Sequence, residues 1–352
     1  MTRLVVIGGF LGAGKTTLML ATARRLAARG KRVCMVTNDQ AADMVDTLLV
    51  RRAQFSAAEI SGGCICCRFT EFTGEIGRLM RRHKPDVLLI EPVGSCVDLA
   101  ATVLRPLMQQ LPELSVAPLT AVVDPGAWLR IENGGSLPRE TAYIYRKQMA
   151  EADIVLLNKS DITSRRTMSL VRAGIEARVP RARILAASAQ TGKGMDRWSN
   201  QVLASTGSGK RIRVNYDTYA KGEQALGWLN ATVALQATKA PAWRRDLPEF
   251  MRRLCDAMDA VPVHLKCLLT SEAFVAVANV TPSSPAPMVR VLAAGRGGPN
   301  AELIVNLRTA LPPRVLRPAL ISTLEGMTHV RGTIVSECSF APARPVPEYR
   351  VR

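Results

Sequence analysis

Four groups of residues have the types and spacing to do chemistry. Residues 8–16 read GGFLGAGKT, in which Gly9, Gly14, Lys15 and Thr16 satisfy G-x-x-x-x-G-K-[ST], the Walker A phosphate loop. Glycines let the backbone approach phosphate oxygens and adopt φ > 0, which a Cβ would prevent. The loop Gly9, Gly12, Ala13, Gly14, Lys15, Thr16 and Thr17 is therefore a candidate cradle for a phosphate chain. In it Lys15 reaches the β/γ-phosphates and the Thr16 hydroxyl ligates Mg²⁺. Glu91 and Gly94, in LLIEPVG, end an apolar run where the second carboxylate of such a site belongs. A carboxylate there needs a cation, and Mg²⁺ held through Glu91 supplies one, with the Gly94 amide near the γ-phosphate.

The third group is Asn158, Lys159 and Asp161, in NKSD after the apolar run 154–157. This spacing reads guanine: the Asp carboxylate accepts hydrogen bonds from N1–H and the 2-amino group, and adenine offers neither donor. Ser188 and Ala189, in ASAQTGKG, fit the loop that closes over the base, with an ordinary turn into a helix as the alternative. The fourth group is Cys64, Cys66 and Cys67, directly behind Gly62 and Gly63. Three thiolates on one tight turn suit a thiophilic ion such as Zn²⁺ or Cu⁺, and a fourth position left open suits transfer. Inert buried thiols or a redox pair are the other readings. Cys96 reads first as a packing residue and second as a fourth sulfur. Cys34, Cys255, Cys267 and Cys338 sit in apolar patterns and read as core, and His83, His264 and His329 have no ligand spacing.

The elements that must position these groups alternate. Strand patterns fall at 3–8, 32–37, 86–90, 119–123, 154–157 and 183–186, and helical patterns at 15–29, 70–82, 98–110, 138–151 and 165–177. This predicts an α/β domain with a doubly wound, mostly parallel sheet over residues 1–204, each motif at a C-terminal strand end. Small residues near STGSG begin a linker over 205–226. A smaller α+β domain is expected over 227–341. Its strands fall at 227–235, 263–270, 274–280, 288–293 and 303–307, and its helices at 246–259 and 313–325. TPSSPAP at 281–287 reads as a surface loop and the proline-dotted 342–352 as a loosely held tail.

The chain has 352 residues, 47% hydrophobic and 22% charged, which is globular composition with room for two domains. It contains no apolar run long enough for a membrane span. The first strand begins at once, so a signal peptide is not expected and a cytoplasmic location is. The net charge of +18 is spread along the chain with only 5% aromatic residues, so nucleic-acid binding is disfavoured as a main function. Eight cysteines in such a chain point to metal or redox chemistry before disulfides.

Taken together, GGFLGAGKTT (8–17), GGCICC (62–67), EPVG (91–94) and NKSD (158–161), in this order, resemble the CobW/HypB/UreG group of GTPases. The likeness is nearest the CobW-like branch, marked by GCxCC between the two phosphate-site motifs, and covers about residues 1–200. The resemblance implies a P-loop GTPase with slow intrinsic turnover. It also implies GTP, Mg²⁺ and Zn²⁺ or Co²⁺ as ligands, and delivery of the metal to a client metalloprotein, with a homodimer as one assembly to test. It further implies a switch segment after the second strand, where Asp39 and Asp46 keep the outer acids as candidate metal ligands and Ala42 replaces the inner one. The histidine-rich stretch of many relatives is missing. A nucleotide-switched protein that binds RNA or a partner, with structural cysteines, is the alternative; a small-molecule kinase is a weaker one, because NKSD favours guanine.

Overall fold

The structure, a computed structural model, describes residues 1–38, 45–135 and 137–351. Two compact units are present: one formed chiefly by residues 1–222 and rejoined by the C-terminal residues from Arg344, the other chiefly by residues 223–343. The first unit is built on strands β1 (Thr2–Gly9), β2 (Val33–Asn38), β3 (Ser56–Ile60), β4 (Val87–Glu91), β5 (Leu114–Val116), β6 (Thr120–Val123), β7 (Ile154–Leu157) and β8 (Arg183–Ala186). They are all parallel, in the order β3-β2-β4-β1-β6-β7-β8, with β5 also on β1. Every residue of β2, β4, β6 and β7 is buried, which is why these strands read as unbroken apolar runs.

Between the strands run α1 (Lys15–Ala28), α2 (Val45–Arg52), α3 (Phe69–His83), α4 (Arg105–Gln110), α5 (Pro125–Glu132), α6 (Arg139–Glu151), α7 (Arg165–Arg178), α8 (Met195–Ala204) and α9 (Tyr216–Gln224). A π-helical turn, Ala100–Leu104, leads into α4. The doubly wound α/β expectation stands. Strand β3 escaped the sequence reading because SAAEI is small and only half-buried at the sheet edge. Helix α5 was not expected from the sequence; Asp124 caps it and Pro125 sits at its first turn, where no N–H is needed.

The second unit is a six-stranded antiparallel sheet made of β9 (Gly227–Ala237), β10 (His264–Ser271), β11 (Phe274–Thr281), β12 (Ser284–Ala294), β13 (Asn300–Thr309) and β14 (Val330–Phe340). Helices α10 (Trp243–Met258) and α11 (Leu316–Glu325) pack Leu247, Phe250, Leu254 and Leu320 against Val233, Leu265, Leu269 and Val305. The 281–287 stretch, read as a loop, is mostly strand. Thr281 pairs with Ser284 across a tight hairpin, and Pro285 and Pro287 are tolerated because β12 is an edge strand. Cys338 is exposed on the edge strand β14, where the sequence pattern had suggested core.

Candidate functional site

The phosphate loop joins β1 to α1. Gly9 has φ of 126° and a Cβ there would stand 2.3 Å from Val122 O; Gly14 has φ of 94° and a Cβ would stand 2.5 Å from Asn158 Nδ2. Both positions therefore demand glycine. Lys15 and Thr16 open α1 and are buried. The Thr16 hydroxyl lies 2.5 Å from Asp46 Oδ1 and 3.1 Å from Glu91 Oε1, and Lys15 Nζ is 3.9 Å from Glu91 Oε1. Two carboxylates thus face one hydroxyl, which has a single proton to donate. Like charges so placed favour a cation, and a hydroxyl with two carboxylates is the hard oxygen donor set that suits Mg²⁺. Asp39, expected beside them, lies outside the described residues, as do Ala42 and its neighbours in the switch segment. Gly94 follows Glu91 closely, and a Cβ there would meet Leu11 Cδ2 at 2.7 Å and Lys15 Nζ at 3.1 Å.

The NKSD residues follow β7 at the same end of the sheet. Asn158 is buried and bridges two loops: its Nδ2 donates to Ala13 O at 2.9 Å and its Oδ1 accepts from the Ala189 N–H at 3.0 Å. Lys159 has φ of 58° and pairs with Asp124 Oδ2 at 2.6 Å. Asp161 is exposed. Ser188 is fully buried and its hydroxyl accepts from the Thr191 N–H, which shapes the turn that carries Ala189. Asp124 was missed from the sequence. It caps α5 with one carboxylate oxygen and holds Lys159 with the other; the Val-Asp-Pro signature of a capped helix was the available signal.

The cysteine loop leaves the end of β3. Gly62, at φ of 76°, turns the chain, and Cys67 N–H and Arg68 N–H both donate to Cys64 O before α3 begins. Cys64 Sγ lies 2.8 Å from Cys66 Sγ and 2.6 Å from Cys67 Sγ, and Cys66 and Cys67 are 3.8 Å apart. Among the described residues these three form a group whose ligand atoms all lie within 4.8 Å of one another. Cys64 and Cys66 are buried and Cys67 is partly open. Hydrogen bonds from Cys66, Cys67 and Cys96 hold the Cys64 thiol well below its ordinary range. Its hydrogen bond with Cys64 pushes Cys66 well above the usual value, and a hydrogen bond with Cys64 likewise pushes Cys67 to about 11. Thiols packed this closely can give up protons to a soft cation that binds them.

Asn38, also missed from the sequence, organises the loop. From the end of β2 its Nδ2 donates to Ile60 O at 2.9 Å and Gly63 O at 2.7 Å. Its Oδ1 accepts from the Ile65 N–H at 3.0 Å and the Val93 N–H at 3.3 Å. One buried amide therefore ties the cysteine loop to the turn between Glu91 and Gly94.

The expected loose tail is instead docked beside this loop. Glu348 N–H donates to Cys66 O at 2.9 Å, and its carboxylate accepts from the Thr70 N–H and hydroxyl at the start of α3. Tyr349 packs edge-on to Phe69 with ring centres 5.2 Å apart. Arg350 bonds the buried Asp98 carboxylate at 2.7 Å and lies over the Tyr216 ring. No helix among the described residues is long and apolar enough to cross a membrane.

Known proteins are similar to this chain in sequence. The zinc chaperone YeiR of Escherichia coli K12 is 33% identical over 171 residues, covering 47% of this chain and 48% of that protein. The zinc-regulated GTPase metalloprotein activator 1 of Dictyostelium discoideum is 26% identical over 212 residues, 51% of this chain and 44% of that one. The zinc chaperone CobW of Pseudomonas aeruginosa is 28% identical over 209 residues, 50% and 54% of the two chains. The chain thus spans about half the length of the curated relatives it matches. The nucleotide-binding domain described as CobW/HypB/UreG matches residues 3–186, from the first residues of β1 to the last of β8, and so takes in the phosphate loop, the cysteine turn and NKSD. With more than half of its length inside that domain, the chain belongs to the CobW/HypB/UreG family.

Proposed function

We propose that the chain is a GTP-hydrolysing metallochaperone that carries a thiophilic divalent ion on Cys64, Cys66 and Cys67 and hands it to a client metalloprotein. In this reading the loop from Gly9 through Gly12, Ala13 and Gly14 to Thr17 wraps the phosphates. Lys15 neutralises charge developing on the terminal phosphoryl group, and the Gly94 N–H is aimed at it. Thr16, Glu91 and Asp46 would hold Mg²⁺, which would offset the negative charge of the phosphates. Asp161 selects guanine by accepting from its N1–H and 2-amino group, and Lys159 and Ala189 bound the base. With Asp46 and Glu91, the carboxylates beside the phosphate loop, given to Mg²⁺, intrinsic turnover is expected to be slow. Zn²⁺ is the first cargo to test, because three relatives carry zinc in their names, and Co²⁺ the second. A cytoplasmic location, where the thiols stay reduced, fits this role.

The observation that carries the reading is the three-thiol cluster held by Asn38 to the turn that bears Glu91 and Gly94. Replacing Cys64, Cys66 and Cys67 together by Ser tests it. Purified protein with GTP present should contain Zn²⁺ by elemental analysis, and the triple variant should lose the metal while binding GTP as before. Unchanged metal content in the variant would refute the site, and no metal in either protein would refute the function.

A further inference from the structure

The surface beside the thiol loop has two electrostatic needs that its own neighbourhood does not meet. Helix α3 begins behind Arg68, whose side chain makes no cap hydrogen bond, so the first-turn donors must find an acceptor elsewhere. Glu348, 278 positions away, supplies it: Oε2 accepts from the Thr70 N–H at 2.8 Å and the Thr70 hydroxyl at 2.7 Å. The second need is that of Asp98. It is fully buried at a φ of 65°, and its Oδ1 has no hydrogen-bond partner among the described residues. Its Oδ2 accepts from the Tyr216 hydroxyl at 3.0 Å and from Arg350 Nε at 2.7 Å, so the cation of this carboxylate also comes from the chain's far end.

The segment that meets both needs is irregular and shallow. Residues 341–351 form neither helix nor strand. The Glu348 N–H donates to Cys66 O at 2.9 Å and the Val351 N–H to Ala101 O at 3.0 Å, while the Tyr349 ring stands 5.2 Å from that of Phe69. Yet Tyr349 is 44% exposed, and the Arg350 side chain is 44% exposed above an Asp98 side chain that is 1% exposed. Half-exposed contacts of this kind hold weakly. The surface is built and buried; its occupant is replaceable.

We propose that this surface is the docking site of the client protein, and that the C-terminal segment fills it in the client's absence. The proposal rests on the metallochaperone reading and adds to it where the client binds and by what chemistry. The partner segment presents an acid, an aromatic ring and a basic residue in consecutive positions, as Glu348, Tyr349 and Arg350 do. Its acid caps α3, its ring lies edge-on to Phe69, and its cation neutralises Asp98. Because the Glu348 N–H rests on Cys66 O, a client seated in the same way meets the backbone of the thiol loop. The chain's own segment competes from an effective concentration of about a millimolar, so the client displaces it by adding contacts beyond these three.

The test uses the full-length chain and, as probe, a fluorescein-labelled peptide of residues 344–352, read by anisotropy in metal-free protein. Glu348→Ala combined with Tyr349→Ala loosens the chain's own segment and leaves Arg350 to neutralise Asp98. This variant should bind the peptide at least about tenfold more tightly than wild type, and a scrambled peptide should bind neither. Retained binding of a fluorescent GDP reports that the variant is folded. A second measurement needs no variant: wild type loaded with Zn²⁺ should pass the ion to the peptide extended by a Cys-x-x-Cys pair at least about tenfold faster than to its scrambled counterpart.

Equal binding of the ordered and scrambled peptides, or equal affinity in wild type and variant, would overturn the docking site. Binding without faster transfer would overturn the client as its occupant. A wild-type dimer that dissociates in the variant, seen by light scattering, would make the occupant a second copy's segment and overturn it as well. Absence of bound Zn²⁺ would refute the metallochaperone reading and the client assignment with it, whereas the anisotropy result decides the docking site by itself.

Discussion

Asn38 Oδ1 accepts the Val93 N–H at 3.3 Å, while the same side chain holds both flanks of the cysteine loop through Ile60 O, Gly63 O and the Ile65 N–H. Val93 lies between Glu91 and Gly94, the residues assigned here to the cation and the terminal phosphate. A single amide thus links the turn of the phosphate site to the loop that carries the thiols. Backbone groups on both sides depend on it, since Asn38 is buried and water cannot replace it.

Asn38→Ala removes those bonds and leaves buried backbone groups without partners. Stability should fall by about 2–4 kcal/mol in urea unfolding, the range for losing several buried hydrogen bonds. Zn²⁺ affinity in the surviving folded protein should no longer differ between the GDP and GTP-analogue complexes. An unaltered difference would place the coupling elsewhere.

Asp161→Ala should weaken GTP and GDP binding about 10- to 100-fold, the loss expected for hydrogen bonds to a charged acceptor, and leave weak ATP binding unchanged. Competition against a fluorescent guanine nucleotide measures both. A similar loss for both bases would mean that Asp161 shapes the loop and does not read guanine.

The C-terminal residues cover the thiol loop through Glu348, Tyr349 and Arg350. Deleting residues 344–352 should speed alkylation of Cys67 in metal-free protein about fivefold, the factor set by ~1 kcal/mol of local closing free energy. The melting temperature should fall as well, because losing Arg350 strips the buried Asp98 carboxylate of its cation. Mass-spectrometric footprinting at Cys67 checks the rate; equal rates would mean the segment shields nothing.

Glu151 ends α6 in full burial, and burial first, then the neighbouring Asp98 carboxylate, pushes its carboxyl well above the ordinary value. The folded state therefore keeps the proton while the unfolded chain loses it near the ordinary carboxyl range. Above that range the folded state binds more protons, so this group's contribution makes stability fall as pH rises, by at most about 1.4 kcal/mol per pH unit, until the folded carboxyl ionises. Glu151→Gln, which mimics the protonated form, should remove that slope and be the more stable protein at pH 7. Unfolding curves between pH 5 and pH 8 measure it, and parallel slopes would refute it.

Much of the site was legible in the sequence because its chemistry is local. The phosphate loop, the cysteine turn and NKSD are each a few consecutive residues, and the parallel strands that carry them are buried on both faces and read as apolar runs. What could not be read was held by distance in sequence. Asn38 bonds residues 22 to 55 positions away, and nothing in its own neighbourhood marks it. Asp124 is ordinary as a helix cap until Lys159 arrives from another strand end. Cys96, read from the sequence first as a packing residue and second as a fourth sulfur, lies 29 residues or more beyond the cysteine loop, and its hydrogen bond with Cys64 comes from the fold. The C-terminal segment has a loop-like composition, and its order comes from partners such as Phe69, Thr70 and Asp98, far back in the chain. Strands β3 and β14 were passed over for a different reason: both lie at sheet edges and lack a continuous apolar run.

The central claim is that the occupant of the phosphate site changes how tightly the thiols hold a metal. Zn²⁺ dissociation constants, measured by chelator competition on the same preparation with GDP and then with a non-hydrolysable GTP analogue, test it most directly. The constants of the two complexes should differ at least about fivefold, the lower end of ordinary coupling between two sites. Equal constants in the two complexes would contradict the account, leaving a nucleotide hydrolase with a metal site that does not respond to it.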